Sequence, residues 1–578
     1  MIDLLLTNGL VVDGTGRPRF FGAVGIEGEK IVYVGSSTPA AKKVVDVQGK
    51  VIAPGFVDIH THYDAQILWD PMLTISPWHG VTTAVMGSCG FGIAPTKPEG
   101  RNNILRTLER VEAMSLSALH AGLGQDWGFE SFADYLSLIE ARGTAINVGV
   151  MIGHTPVRLY VMGNDAVERE ATPAEVEEMA QLVRQGLEAG ALAFATSVST
   201  VHYGFDGRPV PSRLASKAEM IRLAQAVKEA GTGIIHYNVA RNAEFDDYLA
   251  VQKASGTTVC WTALLAGQLG RGKHREVLAR NRALIEQGYP IYPQVACRPI
   301  VSEFRFDSPV IFDTWKIFGP VRAAQSLDEL KTIYADEAFR ASFRQELTGH
   351  GRNDDFFSGG AGEGEMRRAS LQLTEISYMP GNESLVNKKV CDVAAERNVA
   401  FADCLLDLAL DSNLQARFRT PLVNFQEDEV EEIITDPIAV LGLGDGGAHL
   451  SQLCDACYAT HLLGYWVREK GAMTLERGVQ MLTSHPAEIF KIHHRGKIEQ
   501  GYFADLVVFD PDTVGASPLS RVNDLPAGAD RLISHPLGID SVYVNGTKLP
   551  PPGAEVGDRA NLTGHVLRWG GKQSVSLR

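Results

Sequence analysis

Cysteine is scarce in this chain of 578 residues: seven are scattered along it. So few, so dispersed, they exclude a disulfide framework and fit thiols kept reduced. Positive charge is short as well. The 54 lysines and arginines face 69 aspartates and glutamates, giving a formal net charge of -15 and a pI near 5.6. That balance argues against nucleic acid or an anionic membrane as a partner, because both are gripped by basic patches, and it favours a small-molecule substrate. No apolar run is long enough to span a bilayer, and Met1-Ile2-Asp3-Leu4 lacks the basic stretch and apolar core of a signal peptide. The expectation is a cytoplasmic protein, with a homo-oligomer left open. Low-complexity tracts are missing too. What remains is ordinary globular material, 45% hydrophobic and 21% charged, enough for one large domain and one or two small ones.

The most informative stretch is Pro54-Gly55-Phe56-Val57-Asp58-Ile59-His60-Thr61-His62-Tyr63-Asp64. Its apolar run reads as a buried strand, which delivers two histidines at alternate positions. Residues i and i+2 of a strand share a face, so both imidazoles can grip one ion. Two histidines at a strand's C-terminal end, with Asp64 just after, favour metal ligation over coincidence.

Residues 1 to about 50 alternate in short β-like stretches divided by Asp13-Gly14 and Glu27-Gly28, and the far end repeats the style at Ala504–Asp510 and Ser541–Asn545. The two ends are expected to form one small β-sandwich, from residues 1–53 and 495–578. Between them, residues 54–494 alternate apolar strands with helical patterns, the texture of βαβ units. Eight candidate strands end at His62, Gly87-Ser88-Cys89-Gly90, Gly153-His154, Ser197, His236, Ala263, Val295 and Gly444-Asp445-Gly446; the seventh, Pro290–Val295, carries an internal proline. Eight such units predict an α/β fold, a (β/α)₈ TIM-like barrel with catalytic residues at the strands' C-terminal ends. His60, His62, Cys89, His154, His236 and Asp445 sit there, all metal-ligand or acid–base types. Thr172 and Ser216 are the expected caps of two helices, Ser216 pairing with Glu219 in a capping box.

Strands seven and eight are too far apart for a barrel loop, so residues about 299–436 read as an insertion overhanging the active face, a lid. It holds helical patterns at Ser326–Tyr334, Lys389–Arg397 and Ala402–Leu410, and a glycine-rich run from Ser358 to Gly364. Several motifs read as structural. Cys454-Asp455-Ala456-Cys457 suits packed small residues at a helix start, His493-His494 a solvated corner, His79 a packing residue that orients the second strand, and Gly14-Thr15-Gly16 a turn. His202, Tyr203 and Arg213 follow strand four and are candidates for substrate contact.

These motifs resemble the amidohydrolase superfamily, and within it the N-acyl-D-amino-acid deacylase (D-aminoacylase) branch. The resemblance runs through Pro54–His62, His79-Gly80-Val81-Thr82-Thr83, Gly87-Ser88-Cys89-Gly90, Gly153-His154 with Arg158, His236 and Gly444-Asp445-Gly446. It continues through Leu482-Thr483-Ser484-His485-Pro486-Ala487 to Ala504-Asp505-Leu506-Val507, covering nearly the whole chain in order. It implies a zinc-dependent enzyme with one or two Zn²⁺ ions: His60, His62 and Asp445 resemble the ligands of one subsite, Cys89 and His236 those of a tighter neighbour. Asp445 would take a proton from the metal's water and pass it to the leaving nitrogen of a linear, N-acyl-D-amino-acid amide. His154 would meet the oxyanion or acyl group, and Arg158, His202, Tyr292 and Arg298 are the further substrate-binding candidates. The chain departs from the pattern at strand six. The family has Ser-His and then a lysine there, whereas this chain has Trp261-Thr262-Ala263-Leu264; Tyr292-Pro293 is followed by Gln294 rather than tyrosine, and Arg298 stands where it could replace the lost cation. Strand four offers no lysine to bridge two metals. Two alternatives therefore stay open: hydrolysis of a cyclic amide, urea or carbamate, and a catalytically degenerate barrel acting as a binding protein.

Overall fold

A computed structural model describes residues 1–200, 202–204, 207–239, 245–312, 315–348, 369–554 and 562–569. Eight parallel strands lie side by side in chain order at its centre: Phe56–Thr61, Val81–Met86, Asn147–Gly153, Ala193–Ser197, Ile234–Asn238, Val259–Leu264, Ile291–Val295 and Val440–Leu441. A short ninth, Val566–Leu567, pairs beside the third. The sheet curls until its first and last strands touch. Asp445 N–H donates to the His60 carbonyl at 3.0 Å, and His62 N–H to that of Gly446 at 2.7 Å.

Strands covered on both faces read as continuous apolar runs rather than alternating ones, and the first four strands are buried along their whole length. One apolar cluster takes Val57, Val85, Met151, Ala195, Ile234, Cys260 and Val440 from seven strands, with Tyr292 of the remaining one packed against it and Phe490 joining from Thr483–Phe490. Drawing on every strand, it fills the concave face. A larger cluster packs the helices onto the outside. Pro293 is tolerated because the eighth strand is only two residues long and pairs with Gln294 and Val295 alone.

Helices between the strands follow their caps. Thr172, the expected cap, goes further and forms a reciprocal box with Glu175 at the start of Pro173–Glu188. At the start of Lys217–Ala230, Ser216 accepts from Glu219 N–H but the box does not close, because the Glu219 side chain turns inward to Arg158 and His154. A buried guanidinium is a stronger partner for a carboxylate than an exposed N–H. Among the described residues no helix is long and apolar enough to cross a membrane.

Strands from both ends of the chain share one eight-stranded sheet, in which Leu506–Phe509 lies between Val51–Pro54 and Ile539–Val544. The segment between strands seven and eight has its own aromatic core, including Phe304, Phe312, Phe343 and Phe418. A three-stranded antiparallel sheet (Ile300–Phe304, Arg417–Val423, Glu375–Tyr378) and helices Leu327–Ala335, Val390–Arg397 and Phe401–Asp411 frame it. The run Ser358–Gly364 lies outside the described residues. This segment bears on the strand ends: Val423 packs with Leu265, Ala296 and Leu443, which follow strands six, seven and eight.

Candidate active site

Three ligand-type atoms converge at the mouth of the curled sheet. The ligand atoms of His60, His62 and Cys89 all lie within 4.8 Å of one another, and all three residues are buried. Strand geometry brings the histidines together, and the pairing of strands one and two slips between Asp58 and Thr61, an irregularity of the kind that re-aims side chains beside sites. Cys89 arrives on a turn that Gly87 opens at φ 89°, where a Cβ would stand 2.6 Å from the Met151 carbonyl. Its Sγ lies 3.6 Å from His60 Nε2 and accepts from Asn238 Nδ2 at 2.7 Å. Asp445 closes the group from strand eight, its Oδ1 3.4 Å from His60 Nε2 and 3.7 Å from His62 Nε2. The preceding Gly444 has to be glycine, since a Cβ there would fall 2.0 Å from Asp58 Oδ2.

His236 stands with its ring centroid 5.2 Å from that of His60. It is buried, and among the described residues neither ring nitrogen has a hydrogen-bond partner. Leaving two buried nitrogens unpaired costs on the order of 1–3 kcal/mol each unless something absent from the polypeptide takes one of them. A soft thiolate, imidazoles and a carboxylate around a shared space are the donor set Zn²⁺ prefers, so the residues fit a metal ion. Cys89, Asp445 and the neighbouring Leu443 and His449 all adopt left-handed backbone, with φ of 54°, 43°, 57° and 49°. Strain of that kind in non-glycine residues gathers at functional sites.

Electrostatics follow from the burial. Desolvation pushes the Asp445 carboxyl up to about 7 against the opposing His62 charge, and raises the Cys89 thiol. Burial takes His236 down to about 3, helped by the charge of His62. His62 itself is raised: burial pulls it down, but Glu112, its Oε1 3.0 Å from Nδ1, and Cys89 together more than offset this.

Other expected site residues are used elsewhere. His154 gives one ring nitrogen to Thr196 Oγ1 and the other to Glu219 Oε1, each at 2.8 Å, and Arg158 pairs with the same Glu219; all three are fully buried. With both nitrogens engaged, His154 has none left for an oxyanion, and the pair forms a buried ionic cluster rather than a substrate contact. Tyr292 packs against the interior plug beside Cys260, and it is Gln294, two residues on, that reaches His60. Arg298 is held by Asp455 at 3.0 Å instead of standing free for a carboxylate. His202 remains beside the site: Nδ1 bonds Ser197 Oγ at 2.8 Å, the ring meets the edge of Phe91, and burial lowers it to about 4 while Glu112 opposes. The backbone carbonyl of His202 takes a hydrogen bond from Arg213. Cys454 and Cys457 are buried, as packed small residues should be, and His79 bridges Thr460 Oγ1 and the Ser534 carbonyl. Glu112 escapes notice in the sequence: it follows helix Arg101–Val111 with no motif around it.

The model of the amidohydrolase family matches residues 43–345 and 390–548. The chain belongs to the amidohydrolase family. It is 27% identical to a D-aminoacylase of Alcaligenes xylosoxydans xylosoxydans, over 98% of this chain and 97% of that one. It is 28% identical to an N-acyl-D-glutamate deacylase of the same organism, over 95% and 94%. Among solved structures, the N-acyl-D-glutamate deacylase of Bordetella bronchiseptica, complexed with zinc and a phosphonate mimic of the tetrahedral intermediate, superposes with a TM-score of 0.64 at 25% identity, covering 98% of this chain and 99% of that one. The amidohydrolase assignment agrees with both the strand order and the ligand types at the strand ends.

Proposed function

We propose that this amidohydrolase uses zinc to hydrolyse the linear amide of an N-acyl-D-amino acid. The observation that carries the reading is the meeting of His60, His62, Cys89 and Asp445 at one mouth of the sheet, with His236, unpartnered among the described residues, beside them. The deacylase relatives, matched over nearly the full chain, support the substrate class. Residues 54–494 are read as a (β/α)₈ barrel, residues 1–53 and 495–578 as a β-sandwich domain, and residues 299–436 as a cap over the mouth; the packing of Val423 on Leu265, Ala296 and Leu443 supports the cap.

A zinc ion bound there would acidify water and polarise the substrate carbonyl. His60, His62 and Asp445 would hold one position, and Cys89 and His236 would offer a second that lacks the strand-six histidine of the resembled pattern, since Thr262 and Ala263 stand there. Asp445 would accept the proton of the attacking water and return it to the leaving nitrogen, the work of a carboxylate held beside the reacting atoms. His202 faces the same space from the loop after strand four and is placed to touch the substrate.

The missing strand-six lysine favours a second reading, hydrolysis of a cyclic amide, urea or carbamate. One panel separates the two. Purified enzyme and its Asp445→Asn variant are assayed on N-acetyl-D- and N-acetyl-L-amino acids, a hydantoin and a carbamate. Turnover of the D-series by wild type alone supports deacylation, preference for the hydantoin or carbamate supports the second reading, and inactivity on every compound sinks both.

A further inference from the structure

We propose that Glu112 and Gln294 are positioning residues that decide which ring nitrogen His62 and His60 present to the metal. The inference rests on the zinc reading above. An imidazole that ligates through one nitrogen carries its proton on the other, and that N–H needs an acceptor to fix tautomer and ring angle. The two histidines of the first strand are held by different means, His60 by a hydrogen-bond partner and His62 by an opposed charge.

The Nδ1 of His60 lies 2.8 Å from Gln294 Oε1. The other end of the same amide points at a sulfur, with Nε2 3.5 Å from Cys260 Sγ. With the amide oxygen toward His60, the proton of His60 belongs on Nδ1, and the Nε2 lone pair faces Cys89 Sγ at 3.6 Å and Asp445 Oδ1 at 3.4 Å. For His62 the partner is a charge rather than a hydrogen-bond acceptor. Glu112 Oε1 stands at ion-pair distance, 3.0 Å from His62 Nδ1, and His62 Nε2 turns toward Asp445 Oδ1 at 3.7 Å. Glu112 is 1% exposed, and among the described residues its carboxylate pairs with no other cation. Its backbone is pinned on both sides: the N–H donates to Leu108 O, and the carbonyl accepts from His449 N–H at 2.6 Å. The carboxylate is thus set by the same loop that carries Asp445.

Burying an unshared carboxylate is costly unless it is matched to a positive centre. Here that centre is the ligating imidazole, and through it the cation. The assembly is asymmetric. Gln294 supplies geometry without charge, whereas Glu112 supplies geometry and a negative charge one residue removed from the metal. Replacing Gln294 with an apolar residue should therefore loosen the site, and neutralising Glu112 should loosen it further.

The test is zinc affinity of the full chain, measured by competition with a chromogenic chelator, alongside the urea midpoint of the metal-free protein. The variants are Glu112→Gln, which keeps shape and an acceptor but removes the charge, and Gln294→Leu, which keeps approximate volume but removes the acceptor. Both are expected to weaken zinc by about 10- to 100-fold, with Glu112→Gln the weaker binder and the urea midpoints unchanged. The absorption bands of the Co²⁺-substituted protein should shift in each, which a purely structural role would not produce. Zinc affinities within threefold of wild type would overturn the proposal, as would a lowered urea midpoint with unchanged affinity. Should Glu112→Gln fail to fold, the zinc affinity of Gln294→Leu supports or overturns the proposal by the same threefold criterion. A wild-type chain that binds no zinc would instead sink the reading on which this one rests.

Discussion

The backbone N–H of Asp445 donates to the carbonyl of His60 at 3.0 Å, so the carboxylate just beyond the last strand is located by the main chain of the first. The side chain is free of that duty. Substituting it should therefore remove chemistry without removing structure, and asparagine is the suitable replacement because it tolerates the left-handed backbone found there at φ 43°. Asp445→Asn is expected to lower kcat by about 10²–10⁴-fold, the usual worth of a positioned general base, while its circular dichroism matches wild type.

Metal removal gives a separate expectation. Chelation should abolish turnover and zinc should restore it. Cys89→Ala removes the sulfur that sits 3.6 Å from His60 Nε2, and His236→Ala removes the buried ring that has no hydrogen-bond partner among the described residues. Elemental analysis should show less bound zinc in both. If His236→Ala kept the full complement of metal, that residue would be a packing group and its unpaired nitrogens would need another explanation.

Much of this is legible in the sequence, for physical reasons. Strands covered on both faces must be apolar throughout, so all eight can be read off, and a histidine pair at alternate strand positions declares its shared direction. Legibility fails where a side chain's partner lies far away in the chain. Nothing near His154 announces that Glu219 takes its second nitrogen, nor does Ser216 reveal that Glu219 abandons the cap to do so. Arg298 looks free because Asp455 is distant in sequence, and Glu112 looks like any surface acid at a helix end. Tyr292 and Gln294 illustrate a subtler limit: both lie on one strand with the same facing, and only depth in the curled sheet separates a packing residue from one that reaches the site.

The cluster of Arg158, Glu219 and His154 yields a stability prediction. Arg158→Met strips the guanidinium from a fully buried carboxylate and should destabilise the fold by about 3–5 kcal/mol. The double variant Arg158→Met/Glu219→Gln removes the orphaned charge while keeping an acceptor for His154, and should recover most of that loss. Urea midpoints measure both. If the double variant were no more stable than the single one, the ion pair would not be what holds this corner together.

His79 should mark the acid limb of stability. Burial holds it down to about 4, although the Ser534 carbonyl that accepts from it pulls the other way. A folded pKa below the ordinary 6.5 means that the unfolded chain takes up the proton first. This contribution is therefore complete above about pH 7 and is lost as pH falls through 6.5 toward 4. Between pH 7.5 and 5 it amounts to about 2 kcal/mol at 1.36 kcal/mol per pKa unit. Other buried histidines titrate over the same range, so the informative quantity is the difference between wild type and His79→Gln. The variant loses the bridge to Thr460 and Ser534 and should be less stable at neutral pH, but the gap should narrow by that amount on acidification. A gap that stayed constant from pH 7.5 to 5, read from urea midpoints, would mean that His79 takes up its proton as readily in the folded protein as in the unfolded chain.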